Sequence, residues 1–175
     1  MKEVKNINDI YYYVEKNWPI DGVDFIDLTP TLIKENAFKK IANLIKDQII
    51  TKTNEFDYII APDARGFIWG SYIAALLEKP LIPIRKHGKL PNSCVMSRIS
   101  DKTEYSNIQL DLPISDLKNK KCVFIDDVYA TGGTYTACKK LVEMNGGTLD
   151  PPYVVLDILL TEDNVNSLIT KKDLK

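Results

Sequence analysis

Short apolar runs alternate with amphipathic helical patterns along most of the chain. Four runs have the length and composition of buried strands: FDYIIAP, PLIPIRK, KCVFIDD and YVVLDILL. Apolar residues recur at helical spacing within residues 37–49, at Phe38, Ile41, Ala42, Ile45 and Ile49. Two more helices are predicted in FIWGSYIAALLEK and in TYTACKKLVEMNGG, which ends in a glycine pair. The alternation predicts an α/β fold with a central, mostly parallel sheet flanked by helices.

Three other segments have weaker patterns. In residues 8–17, Ile10, Tyr11 and Val14 fall near one face, which predicts a helix. The stretch IDGVDFIDLTPTLI contains Asp-Gly and Thr-Pro pairs, which are typical of a loop. Residues 94–112 hold two apolar runs around a polar middle, which indicates a hairpin that could act as a flap.

Composition narrows the class of protein. The chain has 175 residues, enough for a single domain with a full core, and no linker divides it. Its net charge of −1 gives no general attraction for nucleic acid or acidic membranes. The three cysteines form no CxxC pair, which favours reduced thiols over disulfides or a zinc site. No secretion signal or membrane-length apolar run occurs, so we expect a cytoplasmic protein.

Candidate chemistry is concentrated in the segment DDVYATGGT, between a predicted strand and a predicted helix. The loop Ala130, Thr131, Gly132, Gly133 and Thr134 offers backbone N–H groups, hydroxyls and a helix N-terminus, which suit a phosphate. Asp126 and Asp127 would repel that phosphate, so they are expected to face hydroxyls or a cation on the same ligand. A ribose 5-phosphate meets both needs. The alternative is a helix-capping loop with incidental acids.

The segment resembles the phosphoribosyl diphosphate (PRPP) signature of the type I phosphoribosyltransferases. The resemblance implies that Asp126 and Asp127 hold the ribose hydroxyls and that residues 130–134 hold the 5-phosphate. Two further segments, APDARGF and IRKHGKLP, are similar to diphosphate-binding segments of the adenine-using members of the family. The resemblance of these two segments implies that diphosphate is bound by Ala64, Arg65, Arg85, Lys86 and Lys89.

Two weaker segments complete the resemblance. TEYSNIQLDL looks like the family's flexible flap, here about residues 94–112, with Glu104 as the catalytic carboxylate and Tyr105 as a residue that helps to close it. DGVDFIDLTPTL is similar to the hood that covers the base, here about residues 18–34. The hood resemblance places Phe25 on one face of adenine and Val128 on the other. Ile26 stands where an arginine is common in the family.

The resemblance therefore implies transfer of the 5-phosphoribosyl group from PRPP to adenine, which gives AMP and diphosphate. It also implies Mg²⁺ held mainly through PRPP with no direct protein ligand, a homodimer, and no nucleic-acid or membrane partner. Two alternatives remain at this point. One is a transferase for another purine, hypoxanthine, guanine or xanthine, which the change at Ile26 would permit. The other is a catalytically silent nucleotide sensor of the same fold.

Overall fold

The N-terminal residues form a hairpin rather than a helix. The computed structural model describes residues 3–18, 21, 24–103 and 106–174. In it, strands β1 (Lys5–Ile7) and β2 (Ile10–Glu15) pair antiparallel. The helix predicted over residues 8–17 is wrong. Asn8 and Asp9 have positive φ angles, 51° and 64°, and make the turn. From Ile10 to Tyr13 buried and half-buried positions alternate, which is the period of a strand.

The stretch predicted to be a loop also contains regular structure. Strand β3 (Phe25–Asp27) pairs antiparallel with β2, and helix α1 (Thr29–Ile33) follows it directly. Thr31 ties this helix to the hairpin, because its hydroxyl donates to the Tyr11 carbonyl and accepts from the Tyr11 N–H. The loop prediction was wrong for these two elements, which lie within the predicted hood.

A mixed sheet forms the centre of the molecule and confirms the predicted α/β fold. Its strands within the described residues are β4 (Tyr58–Pro62), β5 (Leu81–Lys86), β6 (Val95–Thr103), β7 (Ser106–Pro113), β8 (Lys121–Tyr129), β9 (Thr148–Leu149), β10 (Tyr153–Asp157) and β11 (Asn166–Thr170). The order across the sheet is β11-β10-β8-β4-β5-β7-β6, and β9 pairs with β8. All neighbours are parallel except the pairs that β7 makes with β5 and β6. Strands β9 and β11 were not predicted.

Helices cover both faces of this sheet. Helices α2 (Ala37–Lys52) and α3 (Arg65–Leu77) pack on one face, and α4 (Gly133–Met144) packs on the other. The predicted core residues Ile41, Ala42, Ile45 and Ile49 of α2 are buried, as their spacing indicated. Gly70 lets α3 approach β4 closely, because a Cβ there would lie 2.5 Å from that of Ala61. None of the helices in the described ranges is both long and apolar enough to cross a membrane.

The predicted hairpin is present as β6 and β7 at one edge of the sheet. Its strands pair from Val95 opposite Pro113 to Thr103 opposite Ser106. Strand β7 also pairs with β5, at Arg85 and Lys86. The hairpin is therefore attached to the sheet beside the segment that carries the basic side chains.

Candidate active site

A cavity of about 490 Å³ opens at the carboxyl ends of the neighbouring parallel strands β4 and β8. Its volume lies within the usual range for small-molecule sites, and this edge is where open α/β sheets bind ligands. Its walls come from the ends of β4, β5, β8 and β10, from the first residues after β4, and from β3. Helices α3 and α4 both begin beside it, so two positively polarised helix N-termini lie at the same opening.

The acidic pair lies at the end of β8, on the wall of the cavity. Asp127 is buried, whereas Asp126 is partly exposed to the cavity. Asp126 Oδ1 accepts a hydrogen bond of 2.8 Å from the Asp127 N–H, and Asp127 Oδ1 accepts one of 2.8 Å from the Val128 N–H. Burial and the neighbouring Asp127 charge raise the pKa of Asp126. Burial also raises the pKa of Asp127, although the Arg65 guanidinium opposes the rise.

Arg65 joins the acidic pair to the hood. It is the first residue of α3, directly after the cis peptide bond between Asp63 and Ala64. Its Nε lies 2.9 Å from Asp127 Oδ2, and its guanidinium carbon lies 5.3 Å from the centre of the Phe25 ring. The side chain is 42% exposed, so the cation remains open to the cavity while it neutralises a buried carboxylate.

The loop of residues 130–134 follows β8 and surrounds a small cavity. Residues 130–134 line a smaller cavity of about 80 Å³, several times the space that one water needs. Ala130 and Thr134 also line the larger cavity, so the two volumes adjoin. Gly132 has a φ of 75° and directly precedes α4, whose first N–H groups have no partner within the helix. The N-terminus of α4 and the acidic pair therefore border the same adjoining cavities.

The basic segment at the end of β5 and in the turn after it divides into residues that line the cavity and residues that do not. Lys86 lines the main cavity and an adjoining one that β7 also borders. Arg85 instead donates to Asp63 at 3.2 Å and lies over the Phe67 ring. Lys89 is exposed on the turn that follows the strand. The diphosphate role stays a prediction for all five residues, Ala64, Arg65, Arg85, Lys86 and Lys89.

A buried carboxylate anchors this basic turn to the flap hairpin. Asp111 of β7 is fully buried and accepts hydrogen bonds from Arg98 Nε at 2.5 Å and from the Gly88 N–H at 3.2 Å. His87 Nδ1 lies 3.2 Å from the same carboxyl group. Burial acts to raise the pKa of Asp111, but these partners together hold it below its usual range. The turn between Lys86 and Lys89 is therefore fixed to β7.

The predicted base-contacting residues also meet at the cavity. Phe25, Ile26 and Val128 all line it, and they come from β3 and the end of β8. Ile26 is 6% exposed and contributes to the core below the hood as well. Glu104 and Tyr105, the predicted catalytic pair, lie outside the described residues.

Comparison with known proteins agrees with this geometry. The model of the phosphoribosyl transferase domain matches residues 31–148, which include the acidic pair and the phosphate loop. The chain belongs to the phosphoribosyltransferase family. The matched residues include the acidic pair, the loop of residues 130–134 and Arg65, which all line the cavities.

The relatives within the family are adenine phosphoribosyltransferases. The enzyme of that name from Thermosipho melanesiensis is 39% identical over 176 residues, which cover 95% of this chain and 94% of that protein. The crystal structure of the one from Thermoanaerobacter pseudethanolicus is similar, with a TM-score of 0.81, 31% identity and coverage of 91% and 95%. The one from Saccharomyces cerevisiae, solved with an imino-altritol bisphosphate and adenine, has a TM-score of 0.77, 25% identity and coverage of 90% and 93%.

Several cavity residues were not predicted from the sequence. Trp18 lines the cavity and packs edge-on against Phe25, with ring centres 4.8 Å apart. Ile158 reaches the cavity from the segment after β10, and Asp63 reaches it from the end of β4. Position at the carboxyl end of a predicted strand was the one signal that could have found Asp63 and Ile158.

Proposed function

We propose that this chain transfers the 5-phosphoribosyl group from PRPP to adenine, giving AMP and diphosphate. The observation that carries the proposal is the 490 Å³ cavity, which joins the phosphate loop, the acidic pair and an aromatic hood residue at one strand edge. A sugar phosphate that carries a base needs these three kinds of contact together. The names of the relatives support adenine as the base, as does the adenine in the yeast relative's structure.

The departure of diphosphate requires preorganised positive charge in the site. As diphosphate departs from C1, negative charge grows on its oxygens and the ribose ring gains oxocarbenium character. Arg65, at the start of α3, and Lys86, at the end of β5, line the cavity from which diphosphate would leave. The backbone N–H groups of Ala64 and Arg65, at the start of α3, add donors. Arg85 supports this region through its hydrogen bond to Asp63.

The ribose and its phosphate are held at the other end of the cavity. The 5-phosphate enters the loop of residues 130–134, and the ribose hydroxyls donate to Asp126 and Asp127. Mg²⁺ carried mainly by PRPP would supply positive charge to offset the charge that grows on the leaving group. The acidic pair would place negative charge beside that ion without binding it directly. These contacts fix C1 in line with the incoming base.

The base enters between the hood and β8. Phe25 supplies one flat face and Val128 an apolar face from the strand end, so the two side chains can enclose a purine ring. From the resemblance, we propose that Glu104 moves a proton on the purine ring and that Tyr105 helps to close the flap. Closure would exclude water, which otherwise hydrolyses PRPP.

A purine panel tests the proposed reaction. We expect the protein, with PRPP and Mg²⁺, to release diphosphate with adenine at a kcat/KM at least roughly 100-fold above that for hypoxanthine, guanine or xanthine. A faster reaction with an oxopurine would contradict adenine as the substrate. PRPP binding without diphosphate release from any purine would instead support the nucleotide sensor.

The resemblance also implies a cytoplasmic homodimer, and we propose this state for the chain. Ile68 and Leu76 form exposed apolar positions on the face of α3, the helix that begins at Arg65. A second copy that covered them would lie close to the diphosphate end of the site. Sedimentation equilibrium that showed only monomer at micromolar concentration would contradict the homodimer.

A further inference from the structure

Tyr129 lies at the end of β8, in contact with the phosphate loop. The residue is 3% exposed, and its hydroxyl donates a hydrogen bond of 2.7 Å to Oδ2 of Asp163. A Cβ placed on Gly132 would overlap that hydroxyl and lie 3.1 Å from the same carboxylate oxygen. The Tyr129–Asp163 pair therefore packs directly against the loop backbone at Gly132.

Asp163 lies in the segment that follows β10. The sequence indicated no function for this segment. The segment is fixed to the end of β8 by a second bond, in which the Ile158 N–H donates to the Tyr129 carbonyl at 3.0 Å. The Tyr129 hydroxyl, followed by Thr161, lowers the pKa of Asp163, so its carboxylate is ionised and accepts at neutral pH. Side chain and backbone thus connect this segment to the residue that precedes the loop.

We propose that Tyr129 and Asp163 are positioning residues that hold residues 130–134 in the conformation that receives the 5-phosphate. They act through the backbone at Gly132 rather than by touching the phosphate. This inference rests on the proposed function, which assigns the loop to that phosphate. Loop N–H groups bind a phosphate tightly only while they converge on one point, so a loop without its support loses affinity before any contact is removed.

A positioning role and a general structural role predict different effects on ligand binding. Ligands that carry a 5-phosphate, such as AMP, engage the loop, whereas adenosine uses only the ribose and base contacts. Loss of the support should therefore weaken AMP binding and spare adenosine. A general loss of stability would weaken both ligands or neither. The ratio of the two affinities separates these cases.

The test compares AMP and adenosine binding by calorimetry in the whole protein. In Tyr129→Phe, which removes only the hydroxyl, we expect AMP affinity to fall roughly three- to tenfold with adenosine affinity unchanged. The KM for PRPP should rise by a similar factor with little change in kcat. Asp163→Ala should have the same effects as Tyr129→Phe. Asp163→Asn keeps an acceptor oxygen and should retain most of the affinity for AMP. The double variant Tyr129→Phe with Asp163→Ala should be no weaker than either single variant, because both remove one interaction.

A second buried tyrosine provides the matched control. The hydroxyl of Tyr153 in β10 lies 2.9 Å from Thr53 Oγ1, away from the loop, so Tyr153→Phe loses a comparable hydrogen bond. We expect this variant to lose stability with no change in the AMP-to-adenosine affinity ratio. An unchanged ratio in Tyr129→Phe would overturn the positioning role. A wild-type protein that bound AMP no better than adenosine would overturn the proposed function instead.

Discussion

Arg65→Gln is expected to lower kcat/KM for PRPP by about 100- to 1,000-fold, the usual cost of removing one preorganised group that stabilises transition-state charge. Arg65 borders three features of the site, which are the acidic pair, the hood and the cavity. Its guanidinium neutralises Asp127, lies over the Phe25 ring, and faces the cavity at the start of α3. The substitution removes the cation and leaves the buried carboxylate without its counter-charge. Initial rates of diphosphate release over a range of PRPP concentrations measure the loss.

Arg65→Lys is the matched variant, because it keeps the charge and removes the planar fork. We expect it to retain more activity than Arg65→Gln and less than the wild type. We expect Arg65→Lys to keep most of the folding stability, whereas Arg65→Gln should lose stability because it leaves the buried Asp127 carboxylate without a counter-charge, so the melting temperature of each variant is measured beside its rate. If Arg65→Gln stayed within threefold of the wild-type kcat/KM, the guanidinium would have no role in the leaving of diphosphate.

Gly132→Ala is expected to reduce kcat/KM for PRPP by about 100-fold or more, since a displacement of about 1 Å in a binding loop can have that effect. Two causes act together. The φ of 75° at this position disfavours any residue with a side chain, and the added Cβ would overlap the Tyr129 hydroxyl. The loop would have to move away from the position in which its N–H groups converge. The KM for PRPP and the affinity for AMP, measured in the same variant, report the displacement.

Gly146→Ala separates a displacement of the phosphate loop from a general loss of stability. Gly146 has a φ of 82°, but the nearest atom to an added Cβ there is Lys118 Cα at 3.5 Å, an ordinary contact. The control therefore carries the backbone penalty of a side chain at positive φ, roughly 1–2 kcal/mol, without the overlap. We expect a lower melting temperature with kinetics close to the wild type. Equal kinetic losses in the two variants would show that the effect of Gly132→Ala is one of stability alone.

The central elements could be predicted because their apolar patterns match their burial. Residues 37–49 have the helical period, and the four apolar runs lie in the sheet, where both faces are covered. The N-terminal hairpin could not be predicted in this way, because IYYYV suits one face of a helix as well as alternate positions of a strand. Its pairing with β3, from Glu15 opposite Phe25, decides between them, and that contact lies outside a local window. Strand β11 is short and mostly half-buried, so its pattern was weak.

In the candidate site, too, the sequence predicted some features and missed others. The sequence predicted that Asp126, Asp127 and residues 130–134 would lie together, because they are neighbours at one strand end. It did not predict the Arg65–Asp127 ion pair, which depends on the adjacency of β4 and β8 and on side-chain geometry. The Tyr129–Asp163 pair joins residues 34 positions apart, and the acceptor is an exposed residue in a segment without a motif. Polar partners of this kind leave no periodic signal in a sequence.

A crystal structure of the protein with AMP tests most directly the claim that one cavity binds sugar phosphate and base together. We expect the 5-phosphate within hydrogen-bond distance of the N–H groups of residues 131–134, and the ribose hydroxyls on Asp126 and Asp127. The adenine ring should lie between Phe25 and Val128. A phosphate bound at Lys86 with the loop empty, or a base outside the hood, would contradict the account.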